Sequence, residues 1–363
     1  MKICHVTSAH PQEDVRIFHK ECVSLASQGY ETYQVSSGKT YVKSGVYLIG
    51  VEHREFGRLE RMTKFTKNIY YKALELDADV YHIHDPELLP YALKLKKKGK
   101  KVIFDSHEEV PAQILGKTWI PGILRKAVSL IYKTYETYIV RKLDAVVTVT
   151  PHIVRKFEGR AKRVVLVQNY PKIDEIVFQD SPFENRDPIV CYAGTINTIR
   201  GEDTMISAME NVDGKLILAG RQDSDSVIQY NDNKKIYYMG IIGRQEVNEL
   251  YGKSVAGLVV LKPLHNYIDS LPVKMFEYMA AGLPVIASDF PLWKQIVEEN
   301  NCGICVKPDD PKTLGKAIKR LLGNRKIAQQ MGINGRNAVL KKYTWRQGEK
   351  NLLKLYMELE QEL

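Results

Sequence analysis

The sequence predicts an α/β protein made of two doubly wound halves, and three observations predict it. Short apolar runs alternate with amphipathic stretches along nearly the whole chain, the pattern of parallel strands joined by helical crossovers. That alternation breaks once, over residues 171–188, which are acidic, contain Pro and hold no sustained period. At 363 residues the chain is long enough for two domains, each with its own core. The expected organisation is an N-terminal α/β domain over 1–170, a linker over 171–188 and a second α/β domain over 189–344. A last helix over about 345–363 rejoins the first domain.

Lys2 to Ser8 reads as a first strand, Asp14 to Gln28 as a helix stopped by Gly29, and Tyr30 to Ser36 as the second strand. The loop after the first strand lacks Gly-x-Gly-x-x-Gly and offers His10, Asp14 and Arg16 at the carboxyl edge of the sheet, where open parallel sheets bind ligands. A capping role for Asp14 is an equal reading. Arg61 to Leu76 (helix), Val80 to His84 (strand), Pro86 to Lys98 (helix) and Lys101 to Phe104 (strand) continue the alternation. His107 and Glu108 follow that last strand at the same edge. A segment from Trp119 to Lys142 mixes aromatic, aliphatic and basic residues as interfacial membrane segments do, although core packing explains many of its apolar residues equally well. Asp144 to Thr150, Pro151 to Phe157 and Val164 to Val167 complete the half as strand, helix and strand. The second half restarts at Ile189 to Ala193 and repeats the scheme, with strands at 215–219, 235–239, 256–261, 285–288 and 303–306.

The formal net charge is +10, and residues 1–170 hold 28 Lys and Arg against 18 Asp and Glu, so the whole excess lies in the first half. Such asymmetry points to an anionic partner, a membrane surface or nucleic acid, with solvated helix faces as the plainer reading. The N-terminus has no signal-peptide pattern and no run of about eighteen apolar residues occurs, so a cytoplasmic protein is expected. The five scattered cysteines fit reduced thiols, and Cys302-Gly303-Ile304-Cys305 stands without a second pair or a flanking His.

The densest signal is the stretch from Asp269 to Asp289. Ser270 as a cap and Pro272 in the first turn open a helix, Gly282 and Pro284 stop it, and a buried strand follows. A helix start beside Lys274, with Asp269 and Glu277 two turns apart, suits an anion flanked by hydroxyl-bearing groups, such as a sugar nucleotide. An amphipathic core helix has the same periodicity. Arg200, after a strand and a Gly-containing loop, is placed to meet a diphosphate from the other side. The triplets Asp77-Ala78-Asp79 and Asp223-Ser224-Asp225 read as incidental, and no catalytic metal or other cofactor is expected. P-loop, zinc-protease and serine-hydrolase signatures are absent from the sequence.

Taken together, Asp269 and the run Glu277-Tyr278-Met279-Ala280-Ala281-Gly282-Leu283-Pro284-Val285 resemble the signature of glycosyltransferase family 4, retaining enzymes of the GT-B architecture, and the similarity extends over essentially the whole chain. The resemblance implies two Rossmann-like domains facing each other across a cleft. It implies that Asp269 contacts the donor sugar, the backbone of Ser270, Leu271 and Val273 the phosphates, and Glu277 the ribose. It implies a diphosphate grip at Gly194, Thr195, Arg200 and Lys274, a base contact at Gly240 and Ile241, and a sugar contact near the anomeric centre at His107. Asp14, Arg16 and Glu108, with His10, would line the acceptor side. The sequence departs from the family pattern at two places, with Asp269 in place of the usual Glu and Thr195 in place of a common Arg.

The implied activity is metal-independent retaining transfer of a hexosyl or N-acetylhexosaminyl group from a nucleoside diphosphate sugar, UDP-linked by preference. The acceptor is a glycan or lipid-linked saccharide of a surface polysaccharide or glycolipid, met at the inner membrane face. No nucleic acid partner is implied. A UDP-N-acetylhexosamine 2-epimerase and a catalytically silent partner subunit share the architecture and stand as alternatives.

Overall fold

The computed structural model describes residues 1–52, 57, 60–117, 120–223, 225–226 and 234–363. Arg54, Ser224 and Trp119, the head of the expected interfacial segment, lie outside the described residues. The chain divides into two compact units, Met1–Asn169 with Arg346–Leu363, and Tyr170–Trp345.

The described strands of the first unit are β1 (Lys2–Val6), β2 (Glu31–Ser37), β3 (Tyr41–Lys43), β4 (Val46–Val51), β5 (Val80–Ile83), β6 (Lys101–Ser106), β7 (Ala145–Thr148) and β8 (Val164–Leu166). They form one sheet in the order β3-β4-β2-β1-β5-β6-β7-β8, parallel except for the β3–β4 pair. Chain order reverses between β1 and β5, which makes their carboxyl ends the switch point where open sheets hold ligands. β1, β5 and β7 are buried almost throughout, as strands covered by helices on both faces must be. The hairpin β3–β4 is not among the strands expected from sequence. Its outer strand is short and mostly exposed, so it lacks an apolar run, and the turn rests on Ser44 and Gly45 at φ 50° and 78°.

The first helix starts later than expected, at Ile17. Asp14 Oδ1 accepts from the amides of Arg16 and Ile17 at 2.8 and 2.9 Å, and the opening turn is wide, with His19 and Glu21 amides donating five residues back. The long basic helix runs Gly122–Val140, preceded by a separate helix Val110–Gly116. The last helix, Trp345–Gln361, buries Leu352, Leu355, Tyr356 and Leu359, a repeat of three and four residues that packs one face.

The second unit holds β9 (Ile189–Ala193), β10 (Lys215–Ala219), β11 (Ile236–Tyr238), β12 (Ala256–Val259), β13 (Val285–Ser288) and β14 (Gly303–Val306). Their order, β11-β10-β9-β12-β13-β14, is all parallel and reverses between β9 and β12. Both units are thus Rossmann-like. Residues 171–188 pack onto the second unit, with Ile176 and Phe183 buried and Arg186 donating to Ser254 O at 2.8 Å. The central helix is Val273–Ala281, closed by Gly282 at φ 78°. Ser270 is not its cap: its hydroxyl donates to Tyr267 O at 2.8 Å, and Pro272 occupies the cap position without a side-chain bond to the first turn.

Candidate functional site

In the second unit, three neighbouring strands end in glycine. Gly194, Gly220 and Gly240 follow β9, β10 and β11 with φ of 144°, 132° and 72°. Crowding explains the first two. A Cβ on Gly220 would stand 2.0 Å from Gly194 O, and one on Gly194 would stand 2.5 Å from Lys274 Nζ. Lys274 is therefore threaded along the backbone at the end of β9. Its Nζ lies 3.6 Å from the centroid of the Tyr192 ring. That ring is fixed in turn, because its hydroxyl donates to Thr195 O at 2.7 Å.

The ammonium of Lys274 is shut off from solvent and has no hydrogen-bond partner among the described residues. Burial, and then the charge of Arg200, push its pKa well below the usual lysine range, against a smaller opposing pull from Glu277. An unpartnered buried ammonium beside the open first turn of a helix is an unfavourable arrangement that an anion relieves. Arg200 closes the turn Thr198–Arg200, held by its own amide on Asn197 Oδ1 at 2.9 Å, and its guanidinium carbon lies 6.0 Å from the Tyr267 ring centroid.

Glu277 stands one turn after Lys274, with Arg244 Nη2 2.9 Å from one carboxylate oxygen and the Tyr251 hydroxyl donating to the other at 3.2 Å. It is oriented by partners while its residue remains half-buried. Trp293 Nε1 donates to Ser270 O at 2.6 Å and fixes the backbone that leads into the helix through Leu271. Asp269 ends the helical turn His265–Ile268 and is half-buried; Ile241, beside Gly240, is exposed. The structure thus brings together Gly194, Thr195, Arg200, Lys274 and Glu277 around the end of β9 and the opening turns of Val273–Ala281.

In the first unit the switch point is filled by titratable groups. His10 Nδ1 lies 3.1 Å from Asp85 Oδ1, and its ring centroid is 5.1 Å from that of His107. Burial opposes a charge on His10, but Asp85 outweighs it and raises its pKa above the ordinary value. Asp85 also accepts from the Ser8 amide at 2.6 Å and the Thr7 hydroxyl at 2.8 Å. Glu108 is exposed.

Arg16 is not on an accessible surface. Its guanidinium is buried, donates to both oxygens of Asp105 at 2.9–3.2 Å and to Val167 O at 2.8 Å, and lies 3.0 Å from Glu21 Oε1. The reason is charge: Asp105, at the end of β6, is fully buried and needs a cation. Burial would raise Asp105, yet Arg16 and His107 hold its carboxyl well below the usual range. Burial pushes Glu21 well above it. Arg16 thus sits beneath the acceptor-side residues that the sequence grouped it with.

Sequence reasoning passed over His5, Glu21, His82, His84, Asp85, Asp105 and Tyr356 in this unit, and Tyr192, Gly220, Arg244 and Tyr251 in the other. One signal was available: His82 and His84 alternate in an otherwise apolar parallel strand, which places both on one buried face. The groups His5, Glu21, His82, His84 and His84, Asp105, His107 present possible ligand atoms within 4.8 Å of one another. Apart from His82 Nε2 and His107 Nδ1 their ring nitrogens meet each other or Tyr356, and Arg16 lies against both carboxylates, so an entering cation would displace a guanidinium. The carboxylates of the sequence triplet near β5 are occupied as well, Asp77 by Lys100 and Asp79 by the Lys2 amide.

Residues 16–170 match the family described as Glycosyltransferase Family 4, and residues 173–338 the family described as Glycosyl transferases group 1. An uncharacterized glycosyltransferase of Methanocaldococcus jannaschii is 25% identical over 188 residues, 48% of this chain and 47% of the relative, so the chain matches about half of that relative's length. The alpha-galactosylglucosyldiacylglycerol synthase of Streptococcus pneumoniae is 24% identical over 274 residues, 68% of this chain and 70% of that protein. Among solved structures, a sucrose-phosphate synthase from Thermosynechococcus elongatus superposes with a TM-score of 0.80 at 18% identity, covering 100% of both chains. An Anabaena protein crystallised with UDP-glucose gives a TM-score of 0.70 at 12% identity over 99% of this chain and 100% of that one.

Proposed function

The chain belongs to the nucleotide-sugar-dependent glycosyltransferases of GT-B fold, and from that premise we propose that it is a retaining, metal-independent hexosyl- or N-acetylhexosaminyltransferase that uses a UDP-sugar to extend a lipid-linked or polysaccharide acceptor. One observation carries the reading: the buried, unpartnered ammonium of Lys274 at the start of Val273–Ala281, with Arg200 as the largest charge acting on it. A diphosphate supplies the missing counter-charge. Lys274, Arg200 and the uncapped first-turn amides then stabilise the charge that grows on the leaving phosphate as the glycosidic bond breaks. Glu277, held by Arg244 and Tyr251, accepts from the ribose hydroxyls, and the turns at Gly194 and Gly240 let backbone approach the nucleotide.

Asp269 and His107 are the groups assigned to the sugar. In a front-face mechanism the leaving phosphate oxygen takes the acceptor proton, so neither has to be a nucleophile. The UDP-glucose complex of the Anabaena protein supports the nucleotide, and the name of the Streptococcus pneumoniae relative supports a glycolipid acceptor. The exposed face of Gly122–Val140 supports the same setting. Ile123, Leu130, Ile131 and Tyr138 recur at seven- and eight-residue spacing and stand 92%, 65%, 69% and 57% exposed, beside Arg125, Lys126, Lys133, Arg141 and Lys142. Among the described residues no helix is long and apolar enough to cross a membrane, and this stripe instead fits an anionic bilayer surface at the inner face of the cell membrane.

The test is a donor screen read by product mass, across UDP-, GDP- and ADP-sugars, with and without acceptor glycolipid. Transfer from a UDP-sugar with the anomeric configuration kept is expected. Conversion of UDP-N-acetylhexosamine to its 2-epimer without acceptor would replace the reading, as would absence of turnover with every donor. Cosedimentation with vesicles containing anionic lipid is expected to fall as salt rises and to be lost when Arg125, Lys126 and Lys133 become Gln; binding indifferent to both removes the membrane assignment.

A further inference from the structure

His107 does not stand alone at the end of β6. Its Nε2 lies 3.2 Å from His84 Nδ1. The other nitrogen of His84, Nε2, is 2.9 Å from His5 Nδ1. His5 Nε2 is 3.3 Å from the hydroxyl of Tyr356, and that hydroxyl is 2.8 Å from His82 Nδ1. Strand register builds this line: His5 on β1 is paired with His82 on β5, His84 follows on the same face, and the C-terminal helix lays Tyr356 against them. The rings of His5 and His84 and of His82 and His84 stack with centroids 5.1 and 4.7 Å apart.

We propose that Tyr356, His5 and His84 form a hydrogen-bonded relay that fixes the tautomer of His107, keeping its proton on Nε2 and its lone pair on Nδ1. The inference rests on the assignment of His107 to the sugar-transfer site only for its consequence in catalysis; the tautomer itself follows from the chain of contacts.

The direction of the chain is set by Asp105, whose Oδ2 is faced by three imidazole nitrogens: His107 Nε2 at 3.3 Å, His84 Nδ1 at 3.6 Å and His82 Nε2 at 3.8 Å. The contacts link the three, so one direction turns N–H groups of His107 and His82 toward the carboxylate and leaves one lone pair there, on His84, whereas the reverse leaves two lone pairs; the first is favoured. His82 Nδ1 is then an acceptor, and the Tyr356 hydroxyl donates to it over the shorter of its two contacts. Tyr356 oxygen accepts from His5 Nε2–H, His5 Nδ1 accepts from His84 Nε2–H, and His84 Nδ1 accepts from His107 Nε2–H. Every ring carries one proton and every contact has one donor and one acceptor. Asp105 Oδ2, 3.3 Å from His107 Nε2, reinforces the last step, and Arg16 balances the charge of Asp105. Burial lowers His84 to about 4 against the opposing pull of Asp105, and burial with the neighbouring imidazoles drives His5 and His82 well below the ordinary value, which keeps all three neutral as the relay requires. Tyr356, His5 and His84 are positioning residues; His107 Nδ1 is left as an acceptor for a sugar hydroxyl.

The measurement is long-range ¹H–¹⁵N correlation of the histidine side chains in the whole chain at neutral pH, without substrate. His107 is expected as the Nε2–H tautomer, with through-hydrogen-bond ¹⁵N–¹⁵N coupling between His5 and His84. In Tyr356→Phe, which removes only the hydroxyl, the His107 Nε2–H preference should fall at least tenfold, and kcat should drop with the donor KM unchanged. A wild-type His107 protonated at Nδ1 overturns the proposal without any variant, as does a folded Tyr356→Phe protein with an unchanged tautomer. Stoichiometric zinc in the purified protein, coordinated by these imidazoles, also overturns it. If the tautomer is as stated but no nucleotide sugar is turned over, the relay stands and the proposed function falls.

Discussion

Arg16 and Lys274 are both cations removed from water in a parallel α/β unit, but their surroundings differ in kind. Arg16 touches Asp105, Glu21 and the Val167 carbonyl, and its charge is answered inside the fold. Lys274 has an aromatic face at 3.6 Å and no hydrogen-bond acceptor among the described residues. A buried charge with its partners in place positions other groups. One without them waits for a ligand, because the desolvation cost is already present and only the attraction is missing.

The same substitution at the two sites should therefore have opposite effects. Arg16→Met leaves Asp105 buried without its cation and is expected to lose about 3–5 kcal/mol of stability, read as a lower denaturant midpoint. Lys274→Met removes an unanswered charge. Its thermal midpoint should stay level or rise, while affinity for a nucleoside diphosphate falls roughly 10- to 100-fold, the loss of one charge-assisted contact. If Lys274→Met destabilises as Arg16→Met does, the contrast is wrong. Glu277→Ala should weaken donor binding or turnover roughly tenfold, and Arg244→Gln, which only frees Glu277 to reorient, by less. Unchanged kinetics in Glu277→Ala would remove its ribose assignment.

Acid distinguishes the first unit. His5, His82 and His84 have folded pKa values depressed by burial, so on acidification the unfolded chain takes up protons near pH 6.5 that the native state refuses. Each refused proton lowers stability by about 1.4 kcal/mol per pH unit. Glu21, raised by burial, acts oppositely, holding a proton in the native state that the unfolded chain releases. Glu136 is raised by burial as well, and three imidazoles outnumber these two carboxyls, so stability should fall from about pH 6.5 downward, and urea midpoints at pH 7 and pH 5 check the sign. A rise on acidification would mean that the imidazoles are charged in the native state.

Much of the fold is legible because parallel strands covered on both faces declare themselves as apolar runs, and because Gly29 and Gly282 mark helix ends. The helix Val273–Ala281 is legible for a related reason, since Lys274 and Glu277 lie one turn apart within a single element. Capping was misread at Ser270, because a hydroxyl near a helix start has several carbonyls to choose from and here takes Tyr267. The hairpin at Ser44 was hidden by an outer strand too exposed to show alternation. Arg16 was placed with the ligand loop because its buried partner, Asp105, lies 89 residues away in sequence. The relay was illegible for a related reason: His5, His82 and Tyr356 meet only through strand register and the docking of the last helix, which no local pattern encodes.

Isothermal titration of the whole chain with UDP, UMP and uridine, each in two buffers of different ionisation enthalpy, tests the unanswered charge directly. A bound diphosphate raises the depressed pKa of Lys274, so UDP should bind far more tightly than uridine and, wherever the pH is high enough for the empty site to have lost that proton, with net proton uptake. Affinity should weaken as pH rises through the pKa of the bound form, and Lys274→Met should abolish the uptake and cut the preference for the diphosphate roughly 10- to 100-fold, leaving the share held by Arg200 and the first-turn amides. Equal affinity for UDP and uridine, or UDP binding in Lys274→Met with the same proton uptake as the wild type, would contradict the account.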